Sequence, residues 1–181
     1  MKSYALLIIL TLTTFLFMPA NLHSQESSAV SESARLSAIF ERLHQNPEGS
    51  GNESKTASII LEYLKESNAD VIYTDVGGHG IIARFKGKRA GESKMFRCEL
   101  DAVISEDQSS HLCGHDGHMT ILLGLAGRLS QNRNFPGEVF ILFQPAEETG
   151  EGAARMVADI TQKGLKFDTS FALHNRRITE T

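Results

Sequence analysis

A chain of 181 residues with a formal net charge of −4 and only two cysteines is long enough for one domain with a real core, and is no disulfide-built scaffold. The mild acidity, with no basic stripe along the chain, argues against a nucleic-acid surface. Cys98 and Cys113 are able to pair with each other in an oxidising compartment, which competes with any metal-binding use of Cys113.

The chain opens with Lys2, an uncharged and largely apolar stretch from Ala5 to Phe17, and small and polar residues ending in Ser24-Gln25. That order is the pattern of a secretory signal peptide, so residues 1–24 are expected to be a leader and residues 25–181 an exported, secreted or periplasmic protein. The apolar run is shorter than the ~20 residues of a membrane span, so no stable span is expected after cleavage. Beyond the polar stretch Glu26 to Glu32, Leu36, Ile39, Phe40 and Leu43 recur at helical spacing. The turn cluster from Asn46 to Gly51 ends that helix. A second helix is predicted over Ser54 to Ser67 with Ala57, Ile60, Leu61 and Leu64 on its buried face. Strands follow at Asp70 to Thr74, Gly80 to Phe85 and, after the turn Gly87 to Gly91, Lys94 to Leu100.

From Asp101 the pattern alternates. A helix is expected at Met119 to Leu129, a strand at Glu138 to Phe143, a helix at Gly152 to Ile160 and a strand at Thr169 to Leu173. Strand alternating with helix implies crossovers and a parallel sheet. The expected fold class is therefore α/β, a three-layer arrangement of a mostly parallel sheet with flanking helices.

The polar residues gather at one place in that scheme. Asp101, the pair Glu147-Glu148, and His174 each follow a predicted strand, while Cys113 and His115 lie in the loop between a strand and the next helix. Ligand sites of open parallel sheets form outside the carboxyl ends of the strands, so these groups share one rim. The run His111-Leu-Cys113-Gly-His115-Asp116-Gly-His118 offers a soft thiolate and a borderline imidazole, a donor set suited to a divalent transition metal. Glu147 and Glu148 leave the backbone in different directions, which suits a division of labour. One carboxylate binds metal, and the other takes a proton as general base. The competing reading is two solvated acids at a helix N-terminus. His174 is either structural or a ligand. Asp101 and Asp116 either orient a ligand histidine or cap turns. His118 is expected to face solvent or a backbone carbonyl, His111 to stabilise its loop, and His79 to serve a turn.

Four blocks occur in order: Arg97-x-x-x-Asp101-Ala102, His111-x-Cys113-Gly-His115-Asp-Gly-His118, Phe143-Gln-Pro-Ala-Glu147-Glu148 and Leu173-His174-Asn175. Together they resemble the M20 metallopeptidases, and within them the amidohydrolase branch of hippurate hydrolases and N-acyl-amino-acid deacylases. Leu43-His44-x-x-Pro47-Glu48 and Val76-Gly-Gly-x-Gly80 fit the same pattern, so the resemblance runs from about Leu36 to Asn175. It implies that Cys113, His115, Glu148 and His174 hold two divalent metal ions (zinc, manganese, cobalt or nickel) and that Glu147 is the general acid/base. The implied reaction is hydrolysis of the amide bond of N-acylated amino acids or related small amides by metal-activated water, with a small molecule as the only partner. A dipeptidase or carboxypeptidase of the same family, or a non-catalytic exported metal-binding domain, are the alternatives.

The chain also departs from the family pattern. Glu99 stands where the family usually has Asp, Ile104 where a proline follows the Asp-Ala turn, and the segment Ser105 to Ser110 is short. Family members are more than twice as long. The resemblance therefore implies that the lid or dimerisation domain and the C-terminal half of the catalytic domain lie outside this chain, with any homodimer confined to a full-length form. The tail after Asn175 does not match the family's continuation, and an interruption of the reading frame near residue 175 is the expected cause.

Overall fold

The computed structural model describes residues 20–106 and 108–175. The expected leader falls largely outside them, as does the tail 176–181. The chain divides into two compact units, Met1–Arg35 and Leu36–Thr181, and the second holds the sheet and all the motif blocks. Helix α1 (Ala20–His44) enters that unit at Leu36. It begins earlier than the apolar spacing predicts, because no proline or glycine interrupts residues 20–46. Helix α2 (Ser54–Glu66) buries Ala57, Ile60 and Leu64 as expected, together with Ile59 and Tyr63.

Strands β1 (Val71–Val76), β2 (Gly80–Lys86) and β3 (Arg89–Glu99) are followed by a small antiparallel pair, β4 (Val103–Ser105) and β5 (Gln108–Ser110). Helix α3 (His115–Gln131), strand β6 (Pro136–Gln144), helix α4 (Gly152–Gln162) and strand β7 (Thr169–Ala172) complete the order. The main sheet runs β1-β2-β6-β3-β7. β3 is parallel to both β6 and β7, whereas β2 runs antiparallel to β6 and to β1. The α/β class thus stands in a mixed sheet, whose parallel part is the alternating segment after β3.

Side chains alternate across the sheet at period two, and this sorts the core into two layers. Ile81, Ala83 and Phe85 of β2 and Val139, Ile141 and Phe143 of β6 face the cluster that holds Leu43, Ile60, Leu64, Met119 and Leu123 of the first three helices. Ile82, Phe140 and Leu142 face the other way, onto Val76 and onto Met156 of α4. Each fully buried side chain of this size contributes ~2 kcal/mol. With α3 on one face and α4 on the other, the loops after β3 and β6 leave the sheet in opposite directions. In open sheets, ligand crevices form where such loops diverge, outside the carboxyl ends of the strands.

β3 starts five residues before the predicted Lys94, since residues 89–93 extend beside Pro136 with an irregular register rather than turning. Both cysteines are free: Cys98 is buried in the core on β3, and Cys113 is half-buried at the rim. Among the described residues, no helix is long and apolar enough to cross a membrane.

Candidate metal centre

His115 is the hub. It is the first residue of α3, and Gly114 before it sits in the left-handed region at φ 76°, where a glycine is at ease. A Cβ there would also come within 2.5 Å of the Asn175 side-chain nitrogen, so the segment after β7 lies against the start of α3. The imidazole is 1% exposed. Its Nδ1 lies 2.8 Å from the backbone carbonyl of Asp101. A carbonyl only accepts, so Nδ1 carries the proton and Nε2 presents a lone pair. That Nε2 is buried without a hydrogen-bond partner.

Carboxylates and a thiol surround the lone pair. Glu147 Oε2 is 3.9 Å and Glu148 Oε1 3.8 Å from His115 Nε2, and Glu147 Oε1 is 3.5 Å from His174 Nε2. Three overlapping sets have ligand atoms within 4.8 Å of one another, namely Cys113 with His115 and Glu148, Asp101 with His115 and Glu147, and Glu99 with His115 and His174. All five residues singled out in the sequence therefore meet at this rim, and His115 belongs to every set. The rings of His115 and His174 are 5.9 Å apart.

The electrostatics suit a cation. Burial, then the Glu148 hydrogen bond and the charges of Glu148, Glu147 and Asp101, push the Cys113 thiol up to about 11. Burial disfavours the charged form of Asp101, but the facing His115 together with the Ser50 hydroxyl and the Glu148 N–H outweighs it and holds its carboxyl below the usual range. Burial also works against charged His115, and the Asp101 bonds with the Glu99 and Asp101 charges outweigh that too, so its pKa is raised. A lone-pair nitrogen, a thiol and several carboxylates crowded together, with Asp101 Oδ1 likewise buried and unpartnered, are the donor set a divalent ion fits.

The neighbouring polar residues resolve as follows. Asp101 orients His115, through its backbone carbonyl as well as its carboxylate 3.6 Å away. Asp116 instead accepts from His44 Nδ1 at 2.7 Å, and His111 stacks on His44. His118 is buried and donates Nδ1 to Glu99 Oε2 at 2.9 Å, so it faces neither solvent nor a carbonyl. Glu99 is fully buried and is also paired with Arg97, whose Nε reaches Gln144. The pairing of His118 with Glu99 differs from the sequence expectation for His118, and Glu53 is a participant that carried no sequence signal. A glutamate at a helix start is ordinarily a solvated residue favoured by the helix dipole.

An α/β protein with its donor groups on the carboxyl-end rim defines the general class. Residues 95–180 match the model of peptidase family M20/M25/M40. The chain is 34% identical to the N-acetyl-L-cysteine deacetylase of Bacillus subtilis, over 87% of this chain and 38% of that protein. It is 32% identical to the hippurate hydrolase of Campylobacter jejuni, over 76% of this chain and 38% of that protein. Among solved structures, the YXEP protein of Bacillus subtilis, described as a dinuclear metal binding peptidase from the M20 family, superposes with a TM-score of 0.72 at 30% identity. That match covers 81% of this chain and 44% of that one. The chain belongs to the M20 peptidase family, a family of hydrolases, and spans less than half the length of these relatives.

Proposed function

We propose that this chain carries the metal-binding half-site and the general acid/base of a hydrolase that cleaves the amide bond of N-acylated amino acids or related small amides. Cys113, His115, Glu148 and His174 hold two divalent ions, and Glu147 moves the proton. The buried, unpartnered Nε2 of His115 facing the carboxylates of Glu147 and Glu148 is the observation that carries this reading. Bound divalent ions supply Lewis acidity, polarising a carbonyl oxygen and lowering the pKa of water towards neutrality.

The chain's own groups do the rest. The Glu147 carboxylate spans His115 and His174, with its side chain 25% exposed, so one face remains open to a substrate arriving from solvent. It takes a proton from water at one oxygen and returns it to the departing amine nitrogen. Glu148 has its N–H anchored on Asp101 and points its carboxylate at His115 and Cys113. The activities for which two relatives are named, deacetylation of N-acetyl-L-cysteine and hydrolysis of hippurate, support small N-acyl amino acids as the substrate class. The apolar leader-like stretch from Ala5 to Phe17 supports export of the protein.

The test is hydrolysis of N-acetylcysteine and hippurate by the purified chain after loading with zinc, manganese, cobalt or nickel. Chelation is expected to abolish turnover and re-addition of metal to restore it. Hydrolysis indifferent to chelator sinks the proposal, and stoichiometric metal uptake without turnover makes the chain a metal-binding domain instead.

Metal uptake is also expected to depend on pH in a fixed direction. The Cys113 thiol keeps its proton up to about 11, yet only the thiolate ligates. Binding near neutrality must therefore expel that proton. The affinity gains about tenfold per pH unit from this group as pH rises, and loses it as pH falls. Calorimetry in buffers of different ionisation enthalpy should count about one more released proton in the parent chain than in Cys113→Ser. Equal proton release in the two chains would remove Cys113 from the ligand set.

A further inference from the structure

We infer that Glu53 is a positioning residue for the Glu147-Glu148 pair, acting from the start of α2 on the backbone just before Glu147. The inference rests on the reading of those two carboxylates given above. Glu53 is fully buried, yet its side chain makes no capping bond to its own helix. Its Oε1 instead accepts the N–H of Gly51 at 2.8 Å and, across 93 residues, the N–H of Ala146 at 2.7 Å.

Ala146 needs holding. Its φ of 47° lies in the left-handed region, which an L residue with a Cβ enters only when its surroundings impose it. The turn is closed from within by Gly150 N–H on the Glu147 carbonyl at 2.8 Å and Gly152 N–H on the Ala146 carbonyl at 3.0 Å. Gly152 lies so close that a Cβ would sit 1.5 Å from the Pro145 carbonyl oxygen. On the far side of Glu147, the N–H of Glu148 donates to Asp101 Oδ2 at 2.9 Å, and that same oxygen accepts Ser50 Oγ at 2.7 Å. Glu147 therefore sits between two backbone N–H groups, each pinned by a buried carboxylate. One short segment, Ser50 to Glu53, reaches both pins. Releasing Ala146 lets the backbone relax out of the left-handed region and rotates both carboxylates away from His115.

The discriminating variants are Glu53→Asp, one methylene too short to reach Ala146, and Glu53→Gln, which keeps an acceptor oxygen at full reach; Glu53→Ala is the full deletion. Two readouts on the whole chain are independent of turnover. Amide hydrogen exchange of residues 144–149 should quicken about tenfold or more in Glu53→Asp and Glu53→Ala, and stay within about threefold of the parent in Glu53→Gln. In the cobalt(II)-loaded chain, Glu53→Asp should keep the sulfur-to-metal charge-transfer band of Cys113 while its d–d bands shift, and Glu53→Gln should overlay the parent spectrum. Three results overturn the role: parent-like exchange and spectra in Glu53→Asp, a Glu53→Gln as disturbed as Glu53→Asp, or exchange quickened equally along all of β6. If the parent chain takes up no cobalt, the metal reading fails while the exchange comparison still judges Glu53. Loss of Glu147 as acid/base leaves both readouts standing.

Discussion

Replacing Glu147 by glutamine is expected to lower kcat for N-acyl amino acid hydrolysis by about 10²–10⁴-fold in the metal-loaded chain, while metal stoichiometry stays at the parent value. Glutamine preserves volume and the turn geometry, because the turn is held by backbone bonds of Ala146 and Glu148 and not by the Glu147 side chain. On the proposed role, what it removes is the carboxylate between His115 and His174 that would accept and return a proton. KM should move little, since the proton is in flight only in the transition state. Steady-state kinetics with metal analysis on the same samples decides the matter. A Glu147→Gln chain with near-parent kcat would assign the proton to another group.

His115→Ala should have the largest effect on metal binding of any single substitution, a loss of more than about 100-fold in affinity. Among the described residues His115 alone belongs to all three candidate ligand sets, and none of those sets survives its removal. The same substitution leaves the Asp101 carbonyl without its donor in a buried place, which adds a stability loss of about 1–3 kcal/mol. Competition against a chromophoric chelator measures the first effect and denaturant unfolding the second. Metal affinity within a few fold of the parent would show that His115 is not the hub.

Much of this architecture is readable from the chain by periodicity. The strands Gly80 to Phe85 and Glu138 to Phe143 are legible as apolar runs, but with apolar residues at consecutive positions they do not say which residue faces which layer; the structure sorts Ile81 and Ala83 from Ile82, and Ile141 from Phe140 and Leu142. The rim is readable too: Glu147, Glu148 and His174 follow apolar runs that mark strand ends, and Cys113 and His115 lie in the loop that leads into the next helix. The early start of β3 is not, because residues 89–93 are polar and their extension is dictated by Pro136 alongside. Nor is the β4–β5 pair, whose strands are three residues each and carry no apolar alternation. The role of Glu53 and the pairing of His118 with Glu99 were not readable for a further reason. Their roles come from contacts across 93 and 19 residues, and nothing in the local spacing of a single glutamate encodes such a partner. The free state of the cysteines also follows from tertiary position, with Cys98 pointing into the core and Cys113 at the rim.

His174 follows β7, a strand of four residues that is hydrogen-bonded to β3 alone among the described residues and leaves Phe171 47% exposed. Short edge strands fray on a faster clock than the interior strands of a sheet. An ion shared by His115 and His174 would therefore be tied at one end to the buried start of a 17-residue helix and at the other to the end of a short strand paired on one side. Its residence time would be set by how often the edge peels away. By mass action the bound ion would in turn hold that edge closed.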